Sequence, residues 1–193
     1  MNYTIYHYGC QNFNDTGYGC SYRNMQTLIS SIGIEPPLIT TLLKYFFTNY
    51  RHYIDNNQTR RLWIEPCDIS IYMKDIHKID GKDILYMVSD RDIEMMSRGN
   101  IIDYIQNNSI YVSEQFNTLF DLLSQHFTKY DQHNAIPIII DDGVYSYCLI
   151  GIDSQNIRLC DPHKFNTGDA IYSKQLDFLK EKFWMIYIPT YSL

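Results

Sequence analysis

Between residues 135 and 193, four apolar runs are broken by Gly, Asp, Asn and Pro: "AIPIIIDDG", "VYSYCLIGID", "NIRLCDPHK" and "FWMIYIPTYSL". Short apolar runs bounded by turn residues predict β-strands. The connection "DSQN" between the second and third is short enough for a tight hairpin. The first half of the chain has a different period. From Cys20 to Ile32, apolar and aromatic residues recur at Tyr22, Met25, Leu28, Ile29 and Ile32, which is helical spacing. "PPLITTLLKYFFTNYRHY" predicts a second helix with Pro36 and Pro37 at its start. "EPCDISIYMKDI" predicts a third, and "SEQFNTLFDLLSQHFTKY" a fourth with Ser113 as its cap. "KDILYMVS" and "NSIYVSE" read as strands, and "KDIHKIDGKD" as a solvated loop. Helices first and then a mostly antiparallel sheet define an α+β domain, with the helices packed on one side.

The 193 residues suffice for one domain, residues 1–193, because no break is long enough to be a linker. A formal net charge of -6 argues against a nucleic-acid partner. No apolar run is long enough to cross a bilayer, and "MNYTIYHYGC" has neither the basic start nor the apolar centre of a signal peptide. The five cysteines are odd in number, irregularly spaced and without a CxxC pair. That pattern predicts neither a disulfide framework nor a zinc site, and points to a reducing, cytoplasmic setting.

In such a chain one cysteine can be a nucleophile while the others pack. Cys20 follows "GYG" and opens the first helix. Unpaired N–H groups and the positive end of the helix dipole favour an anion on its sulfur. Gly17 and Gly19 allow a sharp turn and close approach of a substrate chain. On this stretch alone, Cys20 reads equally well as a nucleophile and as a buried structural cysteine. A nucleophile needs a base, and the base needs an orienting group. Of the six histidines, four lie in polar helical or loop stretches and read as solvated. His163 follows an apolar strand in "LCDPHKF", two residues after Asp161. In an extended segment that spacing puts both side chains on one face. The alternative is an ordinary surface turn after a strand. Cys148 and Cys160 lie on apolar strands and read as core, as does Cys67 after Pro66.

The segments together resemble the Ufm1-specific proteases. "YHYGC…NDTGYGCSYRNMQTLIS" is similar to that family's catalytic segment at His7-Tyr8, Asp15, Gly17, Gly19-Cys20, Tyr22-Arg23 and Gln26-Thr27. "RRLWIEPCDI" resembles its QWIG segment, "NAIPIIIDDGVYSYCLIGID" its glycine-rich strand pair, and "LCDPHKF" its LDPHY. The resemblance implies a papain-like cysteine protease fold in the minimal form, without an added N-terminal domain. It implies catalytic roles for Cys20 as nucleophile, His163 as base, Asp161 as its orienting group and Tyr8 as oxyanion donor. It further implies that Trp63, Gly143 and Gly19 border the substrate, and that no metal or other cofactor takes part. The implied partners are Ufm1 and its conjugates, met by a monomer without membrane insertion. The reactions are precursor maturation and release from lysines. The chain departs from the pattern at Tyr18, Glu65, Asp141, Asp142 and Tyr147, where the family has Trp, Gly, Gly, Gly and often His. Two alternatives remain at this stage. The zinc-finger ubiquitin peptidases share the "CSYRN" start followed by Gln26, and a non-cleaving modifier-binding module would need no reactive cysteine.

Overall fold

The structure is a computed structural model describing residues 3–49, 63–87, 111–113, 115–129, 135–165 and 167–190. The break "DNNQTRR", most of "MVSDRDIEMMSRGN", His52 and His133 lie outside the described residues. Four main helices are α1 (Cys20–Ser31), α2 (Ile39–Asn49), α3 (Pro66–His77) and α4 (Phe116–Lys129). The strands are β1 (Asp80–Tyr86), β2 (Tyr111–Ser113), β3 (Ile138–Asp141), β4 (Ser146–Ile152), β5 (Asn156–Cys160), β6 (Ile171–Gln175) and β7 (Trp184–Thr190). They form one sheet in the order β2-β1-β7-β3-β4-β5-β6. Every pairing is antiparallel except β1 with β2. The expected α+β architecture is present.

Each helix turns its apolar period inward. On α2 the buried residues are Ile39, Leu42 and Phe46, and on α4 they include Leu119, Leu123 and Phe127. Tyr22, Phe46 and Tyr72 bring α1, α2 and α3 together, Tyr22 and Phe46 edge to face at 5.7 Å and Phe46 and Tyr72 tilted at 5.8 Å between ring centroids. The hairpin between β4 and β5 closes as expected. Asp153 Oδ1 accepts from the N–H groups of Gln155 and Asn156 at 2.8 and 2.7 Å.

Three local expectations are corrected, and one strand had no signal in the sequence. Ile138, Ile139 and Ile140 are all fully buried, although successive strand residues point to opposite faces. The middle of the sheet is therefore covered on both sides, not one. Ser113 does not cap α4; it ends β2, opposite Tyr86. "KDIHKIDGKD" is solvated but is no loop. It comprises the last turn of α3, a left-handed Lys78 with φ 58°, and the start of β1. Strand β6 has no apolar run to announce it, because most of its residues are exposed or half-exposed.

Candidate active site

Helix α1 is buried on almost every side, from Cys20 to Ile29, yet carries Ser21, Arg23, Asn24, Gln26 and Thr27. A buried polar group costs free energy unless it is hydrogen-bonded. Each of these finds a partner, and the partners build the site. Arg23 grips Asp15 with two bonds, Nε to Oδ2 at 2.7 Å and Nη2 to Oδ1 at 3.0 Å. Both side chains are wholly buried. Asp15 Oδ1 also accepts from the Gly9 N–H at 3.0 Å. Thr27 Oγ1 accepts from the Tyr6 N–H at 2.9 Å. Gln26 donates to the Pro37 carbonyl at 2.7 Å. The segment carrying Tyr8 is thus fastened along α1. On the opposite side, Asn24 donates to Ser146 Oγ at 3.0 Å and Ser21 to Asp141 Oδ2 at 3.4 Å, which fastens the helix to β3 and β4.

Cys20 begins α1 directly after Gly19. Gly17 turns the chain with φ 86°, a conformation that favours glycine. Gly19 has another reason to be glycine: a Cβ there would collide with the Asp15 side chain. Its smallness makes room for the buried ion pair rather than for a visiting chain.

The Asp161–His163 pair forms, but not in extended backbone. After β5 the chain turns, because Asp161 Oδ1 accepts the His163 N–H at 2.9 Å. The same oxygen takes His163 Nδ1 at 2.6 Å, while Oδ2 takes the Tyr172 hydroxyl at 3.2 Å. With Nδ1 occupied, Nε2 is the ring nitrogen left to face the Cys20 sulfur, which is close enough to raise the pKa of the imidazole. Burial alone would lower the His163 pKa. The hydrogen bonds to Asp161 and Cys20 outweigh it and push it up to about 9. Asp161 is held below the usual carboxylate range: burial opposes the shift, and the bonds from His163 prevail. At neutral pH the histidine is an imidazolium between a carboxylate and a sulfur.

Tyr8 is buried, its hydroxyl close to Cys20 and beside the Gly17 backbone. Burial first, then the nearby sulfur, pushes its pKa upward, so it keeps its proton as a donor. Its N–H donates to the Pro162 carbonyl at 2.9 Å, joining the N-terminal segment to the His163 turn. Sulfur, imidazole and carboxylate in line, with a hydroxyl beside the sulfur, can carry out acyl transfer through a thioester.

The other candidates are placed less centrally. Gly143 is exposed with φ 85°, and its N–H donates to Asp141 Oδ1 at 2.7 Å. Trp63 is 47% exposed. Its segment leads to Glu65, which is near enough to Asp141 to feel its charge. His126 is not solvated: it is buried, with Nε2 on the Ile136 carbonyl at 2.7 Å. Cys148 and Cys160 are core residues, opposite each other on β4 and β5, and all five cysteines are free thiols. Among the described residues, no group of His, Cys, Asp and Glu could hold a metal. Three residues around His163 escaped the sequence reading. They are Tyr172, on the unannounced β6, Tyr145, whose ring lies 5.2 Å from the imidazole, and Tyr147, named only as a departure from the family pattern and now found with its ring 6.0 Å away.

Glu65, which stands where the resembling family has glycine, has a pKa pushed up to about 7 by burial and then by Asp68 and Asp141. Its folded-state pKa lies above its ordinary value, so the folded chain holds the proton more tightly. Stability is therefore lost as pH rises from the ordinary carboxylate range through about 7. Glu65→Gln keeps the shape and removes the charge. It is expected to stabilise the protein by about 1–3 kcal/mol at pH 8 and by little at pH 4.5, read from urea denaturation at both pH values.

This chemistry and fold are those of a thiol peptidase domain, and comparison with known proteins narrows the class. The profile of Peptidase family C78 matches residues 1–177; the chain belongs to that family. It is 27% identical over 188 residues to the Probable Ufm1-specific protease 2 of Drosophila pseudoobscura pseudoobscura, covering 91% of this chain and 26% of that protein. It is 55% identical over 29 residues to the Ufm1-specific protease 1 of Mus musculus, covering 15% and 13%. The crystal structure of UfSP from C. elegans superposes with a TM-score of 0.63 at 18% identity, covering 98% of this chain and 33% of that one. That likeness establishes the papain-like fold. The chain spans about a quarter of the length of the Drosophila relatives it matches.

Proposed function

We propose that this chain is a cysteine peptidase that cleaves after the C-terminal glycine of the ubiquitin-like modifier Ufm1, both in its precursor and in its conjugates to lysine. One observation carries the reading: in a member of peptidase family C78, Cys20 opens a buried helix close to the His163 ring and the Tyr8 hydroxyl, and His163 is held by Asp161 at 2.6 Å. The names of the relatives support the choice of modifier.

The Cys20 sulfur, beside the His163 imidazole, is the nucleophile. The sulfur attacks the glycine carbonyl carbon, and the carbonyl electrons move to oxygen. The Tyr8 hydroxyl and the N–H groups opening α1 donate to that oxyanion. His163 gives its Nε2 proton to the leaving amine, the C–N bond breaks, and a thioester remains. Neutral His163 then takes a proton from water, whose hydroxide attacks the thioester and releases the modifier's carboxylate. Asp161 holds the imidazole in the required tautomer throughout. No cofactor enters. The five free thiols fit a reducing cytoplasmic setting, and the negative net charge fits a protein partner rather than nucleic acid.

Activity-based probes ending in Ufm1 or ubiquitin test the assignment. The expected result is labelling by the Ufm1 probe alone, abolished in Cys20→Ala. Labelling by ubiquitin alone would transfer the chain to a deubiquitinase role. Failure of both probes would leave a non-cleaving binding module.

A further inference from the structure

At the end of β3 and the start of the β3–β4 loop (142–145), the sequence exchanges two glycines of the resembling family for Asp141 and Asp142, and both aspartates face inward. Asp142 Oδ1 accepts from the Val144 and Tyr145 N–H groups at 3.0 and 2.7 Å. Its Oδ2 takes Lys182 Nζ at 2.6 Å, and that ammonium lies over the Phe178 and Trp184 rings. The Asp142 N–H donates to the Tyr145 carbonyl at 3.1 Å. Asp141 is buried and caps Gly143. Loops rich in glycine lose much conformational freedom on ordering; this one is ordered already by its side chains. Its charges are spent inside the loop, and what it presents outward is apolar. Val144 is 59% exposed and Tyr145 47%. The Tyr145 ring meets the His163 imidazole edge to face at 5.2 Å. Phe165, 64% exposed, stands two residues beyond His163, 6.5 Å from the Tyr8 ring. Large exposed apolar side chains gathered at one place mark a binding surface. This strip is continuous with the base of the reacting centre. Beside Val144, Gly143 has open space where a Cβ would stand, so a visiting backbone can approach.

We propose that Val144 and Tyr145, with Phe165, are specificity-determining residues that receive an uncharged apolar residue next to the substrate's terminal glycine. The occupant is the extended tail of the modifier, because only a tail can reach both this strip and Cys20. The proposal rests on Cys20 being the nucleophile.

Three short peptides carrying a C-terminal vinyl methyl ester warhead in place of the glycine carboxylate, with Leu, Arg or Asp before that glycine position, provide the test. The readout is the rate of covalent labelling of Cys20. Wild-type protein is expected to label with the Leu peptide at least about tenfold faster than with the other two, the usual discrimination of an apolar pocket. Tyr145→Ser is expected to bring the three rates to within about threefold, and Val144→Ser to reduce the preference. Tyr145→Phe, which keeps the ring, is expected to retain it. Equal rates in wild type, an equal loss on all three peptides in Tyr145→Ser, or no peptide labelling while iodoacetamide still labels Cys20 would each overturn the proposal. Peptide labelling that persists in Cys20→Ala would instead overturn the assignment of the nucleophile.

Discussion

Replacing His163 by alanine is expected to lower turnover roughly a thousandfold or more, measured as the rate of Ufm1 release from a precursor fusion. General acid–base catalysis contributes about 10²–10⁴, and groups that act as a unit fail together. In the mechanism we propose, His163 has two tasks: it protonates the leaving amine and activates water. Its proton is also the means of reading the site without turnover. The His163 pKa of about 9 depends in part on the Cys20 sulfur. Cys20→Ala removes those favourable contributions while leaving Asp161 in place. An NMR titration should then find His163 titrating at lower pH in the variant than in the parent. An unchanged or higher value would mean that sulfur and imidazole are not in contact.

Arg23→Ala is expected to cost about 3–5 kcal/mol of stability, because it strands a buried Asp15 carboxylate without its partner. Urea denaturation of both proteins at one pH measures this. The two-site variant Asp15→Leu with Arg23→Met is expected to lose less than Arg23→Ala, since no uncompensated charge stays inside. Both are expected to lose activity, because Gly9 and Tyr8 are tied to α1 through Asp15. Retained turnover in a folded Arg23 variant would show that Tyr8 is positioned by its Pro162 bond alone.

The reactive centre was legible in the sequence. A glycine turn before a helical period made Cys20 a candidate at even odds, Asp-Pro-His after an apolar run was a weak sign of a base, and it was the ordered set of family-like segments that singled both out. The Asp15 and Arg23 matches carried no role until the helix was seen to be buried on all sides; the sequence shows two charged residues eight apart, which usually means a solvated surface. Tyr145, Tyr147 and Tyr172 were lost among 18 tyrosines. Their relation to His163 depends on which strands pair, and pairing is not written in period or composition. The extended reading of Asp161–His163 failed because an Asp side chain that captures the N–H two residues on makes a turn. The single covered face failed because β3 is too short and too uniformly apolar to display an alternation.

The sheet order has a consequence for how such a chain comes off the ribosome. Strand β7 lies between β1 and β3, so it alone joins β2-β1 to β3-β4-β5-β6. Until residues 184–190 emerge, the nascent protein holds two half-sheets with bare edges facing each other, and unpaired edges invite wrong partners. The helix carrying Cys20 is fastened to β3 and β4, and His163 follows β5, so the reacting pair belongs to the second half-sheet and what the last strand described adds to it is the β2-β1 pair. The interval in which those edges stand bare is the time spent waiting for one seven-residue strand.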